Sequence, residues 1–364
     1  MNISDNLKHI IQQIFRGGVL IDFIKKSINL DNFSPSDYSN NMRFQNDGNS
    51  VFNYEFVMSL PEKDYAKYLS ISYFTKTDKK LNLKNPRTID EKIQWLKLYD
   101  NNPVKTKLTD KVLVRDWIQE KIGKEYLKNI LWTGTNFDDI PLDELPNSFV
   151  IKTNHGCKWH FIIKNKQEFI ENTRLFDIVK TATSNWMNQS FFGWSDFETQ
   201  YKDIKPQILI EELYRETDDS TPTEFEIWCF NGQPKIFQEI KPQDNNTRKV
   251  STYDEFFDCI NLAFHKGSII ENHKYSEHLL KAVALSKILS KDFTLVRIDW
   301  MLFKDKLYFE EMTFTPFSGF ISCTNDYDKW QLRMGDMLNL KGKQNDRKKW
   351  YFSKHFSWWY PKIL

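Results

Sequence analysis

TLVRIDWMLF (294–303) and LYFEEMTF (307–314) are two β-rich runs separated by Lys304-Asp305-Lys306, and together they predict an antiparallel hairpin. Val296, Ile298, Trp300 and Leu302 give the first run its apolar character, yet Asp299 sits among them. Glu310 and Glu311 stand in the partner run. Three carboxylates in two apolar strands are costly unless something neutralises them. A two-residue turn at Lys304-Asp305 would set Asp299 opposite Glu310. A three-residue loop, Lys304 to Lys306, would set it opposite Glu311. Directly opposed residues share a face with Cβ atoms roughly 5 Å apart, so either pair would repel without a cation between them. Mg²⁺, held by one or two carboxylates and by substrate phosphates, fits that pattern. The plainer alternative is an acid that pairs with Arg297 or faces solvent.

FEIWCFN (225–231) and KIFQEI (235–240) flank Asn231-Gly232, a strong signal for a tight hairpin. SFVIKT (148–153), HFIIK (160–164) and QILIEEL (207–213) add further strands. Helices are expected at four places besides the N-terminal region. Thr88 and Glu91 form a capping box ahead of Ile93, Trp95, Leu96 and Leu98. Residues 109–122 read as one helix stopped by Gly123, and 174–190 and 277–290 are helical in pattern. Residues 1 to about 75 are mostly helical, with a polar stretch at 34–50. The sum is an α+β protein with largely antiparallel sheets.

Composition narrows the function classes. The 364 residues carry 51 Lys+Arg and 49 Asp+Glu, a net charge of +2, so no global basic field marks a nucleic-acid binder. Apolar residues at 40% and aromatics at 15% are enough for sizeable cores and exclude a wholly disordered chain. Cys157, Cys229, Cys259 and Cys323 are scattered without a CxxC pair and read as reduced thiols. No segment reaches the roughly 18 apolar residues of a membrane span. The start lacks the marks of a signal peptide, so a cytoplasmic location is expected.

FVIKTNHGCKWH (149–160) places Lys152 at the end of an apolar strand, before a turn that holds His155, Gly156 and Lys158. Such a lysine can supply charge to a phosphate while turn N–H groups cradle its oxygens, although Lys158 could equally be a surface residue. His155 and His160 lack a third clustered ligand, which argues against zinc. Glu211 and Glu212 close ILIEELY and could accept hydrogen bonds from a ribose or an adenine amine, or simply be solvated. Residues 341–364 hold seven Lys/Arg against one acid, interleaved with aromatics. That suits an anionic partner or peripheral contact at the inner face of a membrane; packing back over the protein is the alternative.

These segments, in this order, resemble the ATP-grasp superfamily, and more closely its TupA-like branch, named for teichuronopeptide biosynthesis. The residues that carry the resemblance are LNLKNPRTIDEKIQWLKLYDNNP (81–103), LPNSFVIKTNHGCKWHFIIKNK (145–166), KPQILIEELY (205–214), FEIWCFNGQPKIF (225–237), VRIDW (296–300) and YFEEMTFTPFSGF (308–320). The resemblance spans about 60–330. It implies an ATP-grasp fold, two α+β lobes gripping ATP, arranged as follows. A helical extension covers 1–75 and a helical part of the grasp region 76–145. A central lobe with a phosphate flap covers 146–206, a C-terminal lobe with the metal site 207–330, and a basic aromatic tail 331–364.

By the same resemblance Lys152 contacts ATP phosphates, and the turn with His155, Gly156 and Lys158 forms the flap. Glu211, Glu212 and Leu213 form the adenine–ribose hinge. Asp299 and Glu311 hold Mg²⁺, which selects the three-residue-loop register, with Thr313 or Thr315 near the place of a further ligand. Arg297 and Arg248 neutralise phosphate or carboxylate charge. Three departures stand out: Cys157 and Lys158 replace a small pair in the flap, Glu226 stands where many relatives have lysine, and Phe317 replaces a glycine. The implied activity is an ATP- and Mg²⁺-dependent carboxylate–amine ligase working through an acyl phosphate. It would join an amine or amino acid to a uronic-acid-type carboxylate of a nucleotide- or lipid-linked glycan in bacterial surface-polysaccharide biosynthesis. The alternatives are a phosphotransferase acting on a sugar or polyol hydroxyl, and a non-catalytic nucleotide-binding scaffold.

Overall fold

The computed structural model describes residues 51–214, 222–243, 247–265, 267–323 and 326–340. The expected N-terminal helices at 10–28 and the basic aromatic stretch 341–364 lie outside them. Two antiparallel sheets organise the described residues. The smaller has the order β1-β4-β2-β3, from β1 (Ile130–Gly134), β2 (Phe149–Thr153), β3 (His160–Ile163) and β4 (Ile208–Glu212). The larger runs β11-β10-β5-β6-β7-β8. Its strands are β5 (Thr223–Phe230), β6 (Gln233–Pro242), β7 (Arg248–Asp254), β8 (Cys259–Ile260), β10 (Leu295–Phe303) and β11 (Lys306–Thr313). The short β9 (Ser268–Ile270) pairs parallel with β7. Strand β4, read in the sequence with the segment after 207, therefore belongs to the small sheet, as does β1 from the segment read as helical.

Alternation along each strand decides what the sheets bury. Val296, Ile298 and Trp300 of β10 join Phe225 and Ile227 of β5 in the largest core. Leu279, Ala282 and Leu289, from the helix Glu277–Ser290, close that core. The opposite face of the larger sheet is covered in part by the helices Ile89–Tyr99 and Tyr327–Met337, which bury Trp228, Ile236 and Leu295. One register step further along that face come the polar residues of the site. In the small sheet, Phe149, Ile151, Ile208 and Ile210 pack against Val179 and Ala182 of the helix Thr173–Met187, leaving Lys152 and Glu211 on the other face.

Several local expectations hold. Both halves of the Thr88–Glu91 capping box form. Asn231 and Gly232 take left-handed φ values of 49° and 76° and turn β5 into β6. Of the predicted helix 109–122 only Val114–Ile122 forms; residues 110–113 are a turn, and a separate short helix, Val104–Thr109, precedes them. Asp110 breaks it: its Oδ1 accepts the N–H groups of Val112 and Leu113 at 2.8 and 3.1 Å, a local alternative to helical hydrogen bonding.

The decisive hairpin resolves both register readings at once. Lys304 and Asp305 have φ of 47° and 61°, and Phe303 pairs with Lys306, so the turn has two residues. Asp299 nevertheless faces Glu311, because the register shifts between Asp299 and Trp300. Trp300 pairs with Phe309, which leaves Glu310 as the extra residue of a β-bulge. The three-residue loop is thus corrected, while the pairing it was chosen to explain is retained.

Candidate functional site

Strand register lays five side chains in one row across the larger sheet: Glu311, Asp299, Glu226, Gln238 and Thr252. Arg297, two residues before Asp299 on the same face, serves the acidic end of this row. Its Nε and Nη2 donate to the two Asp299 oxygens at 2.8 and 2.6 Å. Its other contacts are longer, 3.7 Å to Glu226 and 3.8 Å to Glu311. Thr313 donates to Glu311 at 3.3 Å, and His265 Nε2 stands 3.1 Å from Glu226. Phe317 lies over the guanidinium at 5.6 Å, and its ring also meets His265. The residue that replaces a glycine in the resemblance is therefore a lid on this cluster.

Three carboxylates share one guanidinium, and the electrostatics reflect that shortage. Burial pushes the Asp299 carboxyl up and the charges of Glu226 and Glu311 add to it, against the pull of Arg297. Burial also opposes charge on Glu226, but Arg297 and His265 outweigh it and hold that carboxyl down at about 2. Glu226 Oε2 is buried without a hydrogen bond. A cation fits this surplus of negative charge. Each carboxylate offers about four lone-pair sites, so Asp299 can keep Arg297 and still bind an ion. Among the described residues no three His, Cys, Asp or Glu side chains gather into a metal-holding group. Two carboxylates with waters and phosphate oxygens is the donor set Mg²⁺ prefers.

A second cluster joins the sheets. Lys152 Nζ lies 2.5 Å from Glu211, whose carboxylate is also 3.4 Å from Lys128. Lys128 reaches across to Glu310 of β11 at 2.7 Å. Burial works against ionised Glu211, yet Lys152 and Lys128 hold it at about 2. Burial lowers Lys152, with Glu211 opposing. Lys128 is missed by the sequence reading; it precedes a short strand, ILWTG, and no motif marks it. Glu212 accepts from Asn129 Nδ2 at 3.2 Å, and half-buried Leu213 follows it.

The turn after Lys152 is strapped down. Asn154 Nδ2 donates to Asp110 at 2.9 Å, and Lys111 Nζ donates to the Gly156 carbonyl at 2.6 Å. A Cβ on Gly156 would lie 2.3 Å from the Trp159 ring, so only glycine lets the turn fold under that indole. His155 is buried, its Nε2 between the carbonyls of Trp186 and Gln189 at 3.0 and 3.1 Å. Its ring thus points into the small lobe. Lys158 is exposed, at a φ of 59°. Arg248, at the start of β7, stands 4.0 Å from Glu224, at the margin of the acidic cluster.

Beyond β11 the chain makes a left-handed run, with φ of 53°, 54° and 65° at Phe317, Ser318 and Gly319. Buried Lys97 holds it, donating to the Ser318 carbonyl at 2.8 Å and to the Asp196 carbonyl at 2.6 Å. Burial lowers the Lys97 ammonium to about 8. Thr315 donates to buried Glu198 and accepts from Gln200 Nε2 at 2.7 Å. Thr315 and Gln200 also line a cleft of about 760 Å³, bounded by the helix Tyr65–Thr77 and by residues 96–103.

A search of the curated proteins finds no match. Among solved structures, the chain resembles a D-alanine–D-alanine ligase from Bacillus anthracis complexed with ATP, at 18% identity and a TM-score of 0.38, over 66% of this chain and 68% of that one. It also resembles the ATP-grasp ligase PsnB complexed with a minimal precursor, at 10% identity and a TM-score of 0.36, over 68% and 67%. A D-alanine–D-alanine ligase from Helicobacter pylori matches at 14% identity and a TM-score of 0.33, over 64% and 61%. The model of the TupA-like ATP-grasp family matches residues 91–339, which include both clusters and the β10–β11 hairpin. The chain belongs to the TupA-like ATP-grasp family.

Proposed function

We propose that the protein is an ATP- and Mg²⁺-dependent carboxylate–amine ligase, and that its carboxylate is carried by a uronic-acid-type unit of a bacterial surface glycan. The observation that supports this most is the meeting of two opposite clusters at one bulge. Glu310 ties the lysine cluster of the small sheet to β11, and Glu311, the next residue, belongs to the Arg297–Asp299 cluster. ATP held there has lysine charge on one side and a cation-binding acid pair on the other. That combination is what phosphoryl transfer requires, since its catalysis is mostly positioning and charge neutralisation.

In this reading Lys152 and the N–H groups of the 154–158 turn hold the phosphates, and His155 positions that turn from behind. Lys158 adds a contact from the exposed side. Glu211, Glu212 and Leu213 line the adenine–ribose end, and Lys128 keeps Glu211 ionised. Asp299 and Glu311 hold Mg²⁺, with Thr313 orienting Glu311; the ion would supply charge neutralisation of the phosphates. Arg297 faces the oxygen on which charge develops, with Arg248 adding to the field from the margin. The substrate carboxylate attacks the γ-phosphorus and ADP leaves. The amine then attacks the acyl carbon, phosphate leaves, and the amine gives up one proton. Closure of the lobes protects the acyl phosphate from water.

The test is calorimetry of Mg-ATP binding by wild type, Lys152→Ala and Asp299→Asn/Glu311→Gln, followed by ADP and product analysis with uronate and amine pairs. Micromolar binding lost in both variants, then amide with free phosphate, is expected. Nucleotide binding unchanged by both substitutions would sink the site assignment. A phosphoester product would move the reaction to phosphotransfer.

A further inference from the structure

Residues 339–340 are clasped to a turn at one end of the larger sheet. Asn231 Nδ2 donates to the Asn339 carbonyl at 2.8 Å, and the Asn339 N–H returns a bond to Asn231 Oδ1 at 2.8 Å. Leu338 and Leu340 are buried on either side of that clasp. A Cβ on Gly232 would lie 2.7 Å from the carbonyl of Lys291, so the turn sits on the C-terminal end of the helix Glu277–Ser290. The turn after β7 closes at the same end: Asp254 pairs with Ile236, four residues past Gly232, and Lys235 meets Glu255.

This end presents apolar side chains outward. In the turn 254–258 the Asp254 carboxylate accepts the N–H groups of Phe256 and Asp258 at 3.0 and 3.2 Å. Phe257, at a φ of 63°, packs its ring against Phe237 and Tyr275 at 5.0 and 4.9 Å. The turn therefore has its packing residue already, and it holds the neighbouring Phe256 out, 76% exposed. Ile288, 50% exposed, stands three residues before Lys291.

Charges around these side chains nearly cancel. Lys235 meets Glu255, Arg333 stands 4.0 Å from Asp254, and exposed Lys287 and Lys291 balance exposed Asp258 and Asp292. Net positive charge comes from the sequence that follows Leu340. Lys341, Lys343, Arg347, Lys348 and Lys349 lie within nine residues of it, with Asp346 the one acid among them. Nine residues span at most about 30 Å even when extended, which keeps those charges near this end of the sheet. Trp350, Tyr351 and Phe352 follow directly. Tryptophan and tyrosine favour the interface between membrane and water, and adjacent basic residues favour anionic headgroups. A protein partner would call for an apolar patch around Phe256, but its exposed neighbours are Glu255 and Asp258. A lipid surface accepts a single aromatic wedge, and one wedge plus one basic segment supplies the two signals that anchoring takes.

We propose that this end of the larger sheet docks on an anionic lipid surface, with Phe256 as the inserted side chain and residues 341–349 as the electrostatic contact. The row of site residues crosses β5 at Glu226, five residues before Asn231 and so about 17 Å away along the strand. Docking in this orientation holds the site within reach of a substrate carried on a lipid. The docking itself rests on no step of the ligase reading.

The experiment is co-sedimentation of the full chain with vesicles of phosphatidylcholine alone or with phosphatidylglycerol added, at low and high salt. Wild type is compared with Phe256→Ser, Phe256→Trp and Arg347→Glu/Lys348→Glu/Lys349→Glu. Expected is binding to the phosphatidylglycerol vesicles that salt weakens. Phe256→Ser should lose about tenfold, Phe256→Trp should bind like wild type, and the charge reversal should lose about a hundredfold or more, all with melting temperature and Mg-ATP affinity unchanged. The proposal is overturned if phosphatidylglycerol does not improve wild-type binding, if Phe256→Ser binds like wild type, or if the charge reversal does. Failure of the ligase reading shows separately, as absence of Mg-ATP binding by wild type.

Discussion

Replacing Glu211 by glutamine should make the protein's stability lose a specific part of its pH dependence. The wild-type carboxyl is held at about 2 against an ordinary 4.5 by Lys152 and Lys128, in spite of its burial. That difference, at roughly 1.4 kcal/mol per pH unit, amounts to about 3 kcal/mol. Because the folded value is depressed, this contribution is complete above about pH 4.5 and is lost as pH falls through about 2. Glu211→Gln should therefore cost about 3 kcal/mol at pH 7 and roughly half of that at pH 3, where wild type has already surrendered much of the gain. Urea unfolding followed by tryptophan fluorescence at pH 7, 5, 4 and 3 gives both numbers, provided the m-value stays constant. A penalty that stays the same across that range would refute the electrostatic account and leave only packing.

The other perturbations act on groups that hold the site's backbone. Lys97→Met should destabilise by about 3–5 kcal/mol, because Glu198 and Asp196 lose a buried counter-charge and the left-handed run loses its donor; thermal unfolding measures it. Gly156→Ala forces the turn away from Trp159 and should weaken Mg-ATP binding several-fold in calorimetry while leaving the melting temperature within a few degrees. Asn154→Ala cuts the tie to Asp110 and should cost about 1–3 kcal/mol in urea unfolding, since it leaves a buried carboxylate oxygen without its donor.

Much of the fold was legible because local chemistry and tertiary placement agree. Thr88 with Glu91, Asn231 with Gly232, and the alternation in 294–303 each dictate structure within a few residues. Lys152, Glu211, Arg297 and Asp299 stand out in such strands as charged residues in apolar runs, whereas the choice of Glu311 over Glu310 rests on the resemblance. What escaped depends on distant partners. Lys128 matters because β1 lies beside β4 and β11 comes near, and nothing local to ILWTG announces those neighbours. Asp110 breaks a plausible helix because its carboxylate serves two turn N–H groups and Asn154 at once. His155 looks like a flap ligand in sequence, yet a buried gap between two carbonyls claims its ring.

The bulge at Glu310 explains why two adjacent acids are useful. In an unbroken hairpin with the same two-residue turn, Asp299 would face Glu310, and Glu311 would point to the apolar side with Met312 shifted out of the core. One inserted residue corrects both faults. Met312 stays buried opposite Ile298, and Glu311 comes to Asp299. Glu310, freed from the ladder, is left to meet Lys128 of the other lobe. The local cost of a broken ladder is thus offset by neutralising a buried lysine, and the same residue that corrects the register links the sheets. Glu310 and Glu311, adjacent on β11, thus stand one in each cluster, the first with Lys128 and the second beside Asp299.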